Sequence, residues 1–183
     1  VKQGKYAEAE KLYMNIIAIC EQLDEMDYAS ILNNYNNLAY MYIRQGKYIK
    51  AEELLNQCVT LYEKEHGENC YKIATIFDNL AQVYEAQGRY VKAEDYYKKS
   101  LEINIKAYGE NYPDVARSYH NLAGLYRKQK WYEKALNFFI RAYKIRISRH
   151  ELDYRDARIM YQSIKHIMNG IQEAILNSGW KKR

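Results

Sequence analysis

The chain repeats itself every 42 residues, and that period restricts its fold more than any other feature of the sequence. Gly4-Lys5-Tyr6, Gly46-Lys47-Tyr48, Gly88-Arg89-Tyr90 and Lys130-Trp131-Tyr132 are in phase. So are Asn37-Leu38-Ala39, Asn79-Leu80-Ala81 and Asn121-Leu122-Ala123, and the small residues Ala9, Ala51, Ala93 and Ala135. A period of this size marks one supersecondary unit that cannot bury its apolar face alone and must stack on copies of itself.

Each repeating position has a physical reading. Asp27, Asn69, Asn111 and Asp153 stand where helices should begin and read as N-caps, their side chains accepting from the first orphan N–H groups. Pro113, two residues after Asn111, fits a first helical turn. The first helix of each unit is expected to end near Arg44, Ala86 and Lys128. Gly46 and Gly88 then supply a left-handed stop, and Lys130 in the glycine's place implies strain or a different turn. A second helix of some four turns follows from Tyr48, Tyr90 and Tyr132. Facing small residues (Ala39 with Ala51, Ala81 with Ala93, Ala123 with Ala135) let each antiparallel pair approach closely.

The spacing Leu38-Ala39-x-x-Tyr42, then Gly46-x-Tyr48, then Ala51 resembles a tetratricopeptide repeat, whose common form has about 34 residues. The longer unit, with Tyr108-Gly-Glu-Asn-Tyr-Pro-Asp-Val-Ala116 in the connection, is similar to the repeats of kinesin light chains. The resemblance implies an all-α fold, a right-handed α-solenoid of antiparallel helix pairs with a C-terminal capping helix. The expected division is residues 1–24, the second helix of a truncated first repeat, then repeats over 27–66, 69–108 and 111–150. A capping helix over 153–177 and a basic tail over 178–183 complete it. Val1 aligns with Ile43 and Glu85, so the chain is read as opening in mid-repeat, with an N-terminal helix free to self-associate. Lys165 replaces the small residue of Ala39, and Tyr161, Ile164, Met168, Ile171 and Ile175 form the apolar stripe of the expected cap.

With Tyr35, Leu38, Ala39 and Tyr42 facing inward, Asn33, Asn37, Tyr40 and Arg44 face away, on the side that lines the concave surface of a solenoid. The equivalent rows are Thr75, Asn79, Gln82 and Ala86, then Arg117, Asn121, Gly124 and Lys128. Asn36, Asp78, His120, Glu85 and Arg127 flank them. Asparagine is a weak helix former, but its amide can pair with a peptide unit through both donor and acceptor. The ladder of Asn37, Asn79 and Asn121 therefore suits an extended peptide lying along the groove, as the resemblance also implies. The other reading is that these residues bridge neighbouring first helices, or are inherited from duplication with no role. Arg117, His120, Arg127 and Lys128 would attract an acidic residue or a C-terminal carboxylate, and Gly124 leaves a gap in the wall.

Composition fits a binding scaffold. Tyrosine dominates the aromatics, 21 against 3 Phe and 2 Trp, which reconciles 48% hydrophobic residues with a mean hydropathy of -0.64. The net charge is +5, but basic and acidic residues alternate, and Asp78 with Glu85 interrupts any basic track, so nucleic acid is not expected. No apolar run approaches the ~18 residues of a membrane span, and the expected setting is cytoplasmic. Cys20, Cys58 and Cys70 form no metal or redox spacing and read as free thiols, with Cys58 packed inside. His66, His120, His150 and His166 lack partners at ligand spacing, and Glu8, Glu10, Glu52, Glu53 and Glu94 read as solvent faces. No catalytic fingerprint is present, so neither enzyme activity nor a cofactor nor a metal is expected. The function read is a scaffold binding an extended or helical peptide, with a peptide-sensor segment of a larger signalling protein as the alternative.

Overall fold

A computed structural model describes residues 2–21, 28–66, 72–149 and 154–177. Among these there are eight helices and no strand. They are α1 (Lys2–Glu21), α2 (Tyr28–Arg44), α3 (Tyr48–His66), α4 (Ile73–Ala86), α5 (Tyr90–Tyr108), α6 (Pro113–Lys128), α7 (Tyr132–Ser148) and α8 (Tyr154–Asn177). The first helices end at the expected residues. The second helices α3, α5 and α7 are longer than four turns, at 19, 19 and 17 residues. The chain divides into two compact units, residues 1–96 and 97–183, with α5 crossing the boundary.

The three-residue turns between paired helices share one hydrogen-bonded form. Gly46 N–H donates to the Ile43 carbonyl at 3.0 Å and Lys47 N–H to the Tyr42 carbonyl at 2.9 Å. Gly88 and Arg89 repeat this with Glu85 and Tyr84, and Lys130 and Trp131 with Arg127 and Tyr126. This is the Schellman closure, which needs a left-handed residue. Gly46 and Gly88 sit at φ 74° and 75°, and Lys130 adopts the same conformation at φ 63°. Lys130 therefore keeps the turn and bears the strain, of order 1–2 kcal/mol for a residue with a Cβ.

The helix starts differ from the sequence reading. The residue before α6 is Tyr112, extended at φ -106°, ψ 149°, with no side-chain cap, so Asn111 is not the N-cap. Pro113 explains this: it has no N–H to satisfy and forces its predecessor to be extended. The Tyr112 ring stacks on Tyr108 at 4.4 Å, and the Asn111 carbonyl accepts from Arg149. Asp27, Asn69 and Asp153 lie outside the described residues, as do Cys70, His150 and the tail 178–183.

In the first unit the close-packed positions hold: Ala39 and Ala51 are fully buried where α2 meets α3, as are Ala81 and Ala93 where α4 meets α5. Leu38, Leu55, Cys58, Ile73, Leu80 and Val83 are buried as well. The Cys58 thiol, desolvated there, is pushed up to about 12 and stays protonated. In the second unit Ala123 and Ala135 are again fully buried. Leu101 and Ile105 of α5 pack on Val115, Ala116 and Tyr119 of α6 and Ala142 and Ile145 of α7. The amide of Asn104 is also buried there and donates to the Ser118 hydroxyl at 3.0 Å.

On α8 the buried line is displaced from the expected stripe. Ile167 and Gly170 are the buried positions, Ile164 and Ile171 are half-buried, and Met168 and Ile175 are exposed. Gly170 sets the shift: a methyl group there would overlap the Tyr132 ring, so α8 docks through its smallest residue.

Two glutamates read as solvent faces instead tie successive repeats together. The Tyr42 hydroxyl donates to Glu10 at 2.7 Å, and Lys47 and Lys50 flank the same carboxylate at 3.8 and 3.6 Å. One repeat later the Tyr84 hydroxyl donates to Glu52 at 2.9 Å, with Arg89 at 3.4 Å. The cations also cover the rings, Lys50 over Tyr42 and Arg89 over Tyr84.

These clasps predict the pH response. The Tyr42 hydrogen bond, aided by Lys50 and Lys47, holds the Glu10 carboxyl below its ordinary value of 4.5 despite burial. Its contribution is present above 4.5 and is lost as pH falls through the lowered value. Burial, then the Glu10 contact, pushes the Tyr42 hydroxyl from 10 up to about 12, and Tyr84 is raised by burial and then its Glu52 contact. The tyrosine contribution is present below pH 10 and is lost as pH rises through 12. Tyrosinate absorbance should therefore show a late-ionising fraction that shrinks in Tyr42→Phe, which also loses ~1 kcal/mol of stability. A single tyrosine titration common to both proteins while still folded would refute the clasp.

Candidate interaction site

On α2 the helical arithmetic places the outward row correctly. Asn33, Asn37, Tyr40 and Arg44 are all exposed. Asn37, Tyr40 and Arg44 line one side of a cleft of about 680 Å³, whose opposite side is Tyr6, Ala9 and Tyr13 of α1.

On α4 the row is interrupted. Thr75 and Ala86 are exposed, but Asn79 is 8% exposed and Asp78 is also buried. The Asn79 amide donates to the Asn36 Oδ1 of α2 at 2.7 Å, and its own oxygen accepts from Gln82 at 3.4 Å. Asn79 thus bridges neighbouring first helices, the structural alternative for this ladder position. A single-helix projection missed this because it places a side chain relative to its own axis, and the covering helix comes from the previous repeat.

The second unit gathers its predicted residues on α6. Arg117 and Lys128 are exposed; His120, Asn121, Gly124 and Arg127 are half-buried. His120, Gly124 and Arg127 are spaced i, i+4, i+7 and share a face. A Cβ added at Gly124 would meet open space, so the wall has a gap there. Arg117 is engaged at 2.7 Å by Asp114 of the same helix. The His120 ring stands edge-on to Phe139 of α7 at 5.0 Å. Desolvation, then the charges of Arg146 and Arg127, lowers its pKa, so at neutral pH it is an uncharged donor or acceptor. Arg146 of α7 was not singled out in the sequence. It became visible only because the hairpin returns it to His120 and Arg127. The spacing of 26 from His120 matches no single-helix periodicity.

No group of three or more His, Cys, Asp or Glu among the described residues could hold a metal ion. No helix there is long and apolar enough to cross a membrane.

These helix pairs, turns and small-residue contacts define a helical-repeat protein of the tetratricopeptide class. The tetratricopeptide repeat family model matches residues 1–64, 27–105 and 72–148, and the chain belongs to that family. Among solved structures it is similar to BtubC (BKLC) from P. vanneervenii, with a TM-score of 0.77 and 26% identity over 100% of this chain and 78% of that one. It is also similar in fold to the nearly identical TPR-like repeats assigned to a kinesin light chain of Podosopora anserina. There the TM-score is 0.74 and the identity 21%, over 94% of this chain and 81% of that one. No curated protein matches the sequence. Repeats of this family generally mediate protein–protein interaction and are generally non-catalytic.

Proposed function

We propose that the chain is an interaction module that binds a peptide, with an anionic group of the ligand seated on α6. The observation that carries this is the half-buried set His120, Arg127 and Arg146 beside the open space at Gly124. Among the described residues neither arginine makes an ion pair, whereas Arg117 is paired with Asp114. Two guanidinium groups with free fork geometry match a side-chain or C-terminal carboxylate. Asn121 and Lys128 extend the same face, and Asn33, Asn37, Tyr40 and Arg44 offer a second exposed row in the first unit.

The test is calorimetric titration of an acidic peptide selected on an array. Arg127→Glu should weaken it by roughly tenfold or more, since a lost charged hydrogen bond is worth ~1.5–3 kcal/mol. A neutral analogue should bind both proteins alike, and the difference should shrink as salt rises. Bound carboxylate would also raise the His120 pKa, so binding near pH 6 should take up protons. Equal affinity of Arg127→Glu and parent for the acidic peptide would overturn the assignment.

A further inference from the structure

The outer face of α7 departs from the corresponding faces of the earlier repeats. Asn137, Ile140 and Lys144 are exposed, as are their in-phase equivalents, Glu53, Asn56 and Thr60 on α3 and Asp95, Lys98 and Glu102 on α5. Each repeat turns this side to solvent, so its exposure on α7 does not depend on what precedes or follows the repeats. On α3 and α5 the face carries acids, Glu53, then Asp95 and Glu102. On α7 those positions become Asn137 and Lys144, and Ile140, 38% exposed, stands in place of Asn56 and Lys98. Glu133 is the sole acid of α7, beside Lys134, Arg141, Lys144 and Arg146.

Lys134, Asn137, Phe138, Ile140, Arg141 and Lys144 line a cleft of about 480 Å³. Aromatic rings hold two of its cations. Lys134 lies over Trp131 at 4.4 Å and Tyr126 at 5.4 Å, and Arg141 over Tyr119 at 5.7 Å. Among the described residues Lys134, Arg141 and Lys144 make no ion pair. Lys130, which lines an adjoining pocket with Lys134, adds a further cation where Gly46 and Gly88 occur, at the cost of its left-handed backbone.

We propose that this face docks an acidic amphipathic helix of a partner protein. Charge complementarity selects the occupant. From Lys134 to Lys144 is about 15 Å at 1.5 Å per residue, so a helix lying along α7 with carboxylates spaced by three and seven residues meets all three cations. Apolar side chains between them, on the same side of that helix, then seat on Ile140 and Phe138. A phosphate backbone would gain nothing from Ile140, and a bilayer is too flat to enter the cleft. No residue of the His120, Arg127 and Arg146 seat takes part.

The probe is a synthetic amphipathic helix with glutamates at those spacings and leucines between them, followed by fluorescence anisotropy. The parent protein should bind it, less tightly as salt rises. The triple variant Asn137→Asp, Ile140→Lys, Lys144→Glu gives α7 the outer residues of α5, which the fold already accepts. It should melt with the parent and bind the probe roughly tenfold more weakly or worse, while Arg127→Glu should bind it as the parent does. No binding to the parent, or equal binding by the triple variant, would overturn the proposal. So would a loss confined to Arg127→Glu, or tighter capture of an oligonucleotide or of phosphatidylserine vesicles through the same three residues.

Discussion

Ala81→Leu is expected to lower the unfolding free energy by ~1–3 kcal/mol, the usual range for overpacking a tight core. Ala81 on α4 and Ala93 on α5 are both fully buried, at the small-residue positions that recur in every repeat. Leucine there has no void to enter, so the helices must separate or the side chain must leave its preferred rotamers. In a chain this size each kcal/mol moves the melting temperature by about 2–4 °C, so the loss should reach several degrees. Thr75→Leu, on the exposed face of the same helix, is the control and should change little. If Ala81→Leu melts with the parent, the close-packed position has been misplaced.

The second large effect separates two asparagines that the sequence makes look equivalent. Asn79→Ala removes the donor to Asn36 and the acceptor of Gln82 inside a packed seam. Stranding such partners costs about 1–3 kcal/mol, against a gain of roughly 0.6 kcal/mol in helix propensity, so the variant should be less stable. Asn37→Ala, at the same repeat position but exposed, should be equal or slightly more stable. Thermal melts of the two variants decide the matter. The reverse order would mean that Asn79 does not bridge the first helices and that the ladder is uniform after all.

This contrast shows what the sequence could and could not disclose. Helix ends, turn positions and the buried alanines were legible because each follows from a pattern within one repeat. Gly46 and Gly88 mark left-handed turns locally, and the phase of Ala39 and Ala51 fixes the face that pairs. What stayed hidden depends on a neighbour. The burial of Asn79 needs α2 above it. The engagement of Glu10 and Glu52 needs the tyrosine of the next repeat, although both partners recur at the same period. The shifted line on α8 needed the ring of Tyr132 against Gly170. The candidate site was legible as a list of residues on α6. Its third cation, Arg146, was not, because only the hairpin brings it to His120.

The Tyr–Glu clasps also bear on how such a chain can grow. Glu10 lies on the second helix of one repeat, while Tyr42 and Lys47 belong to the next, so the bonded group straddles the boundary between repeats. The stretch that is stable as a unit is therefore out of phase with the stretch that begins and ends at a helix pair. Because the tyrosine and the glutamate both recur after the same 42 residues, a duplication can break the chain at any point in the period. The copied segment arrives with half a clasp at each end, and each half meets its complement in the flanking sequence. The reading frame of the repeat is thus a convention of description, and the array can lengthen by whole periods without inventing a new contact.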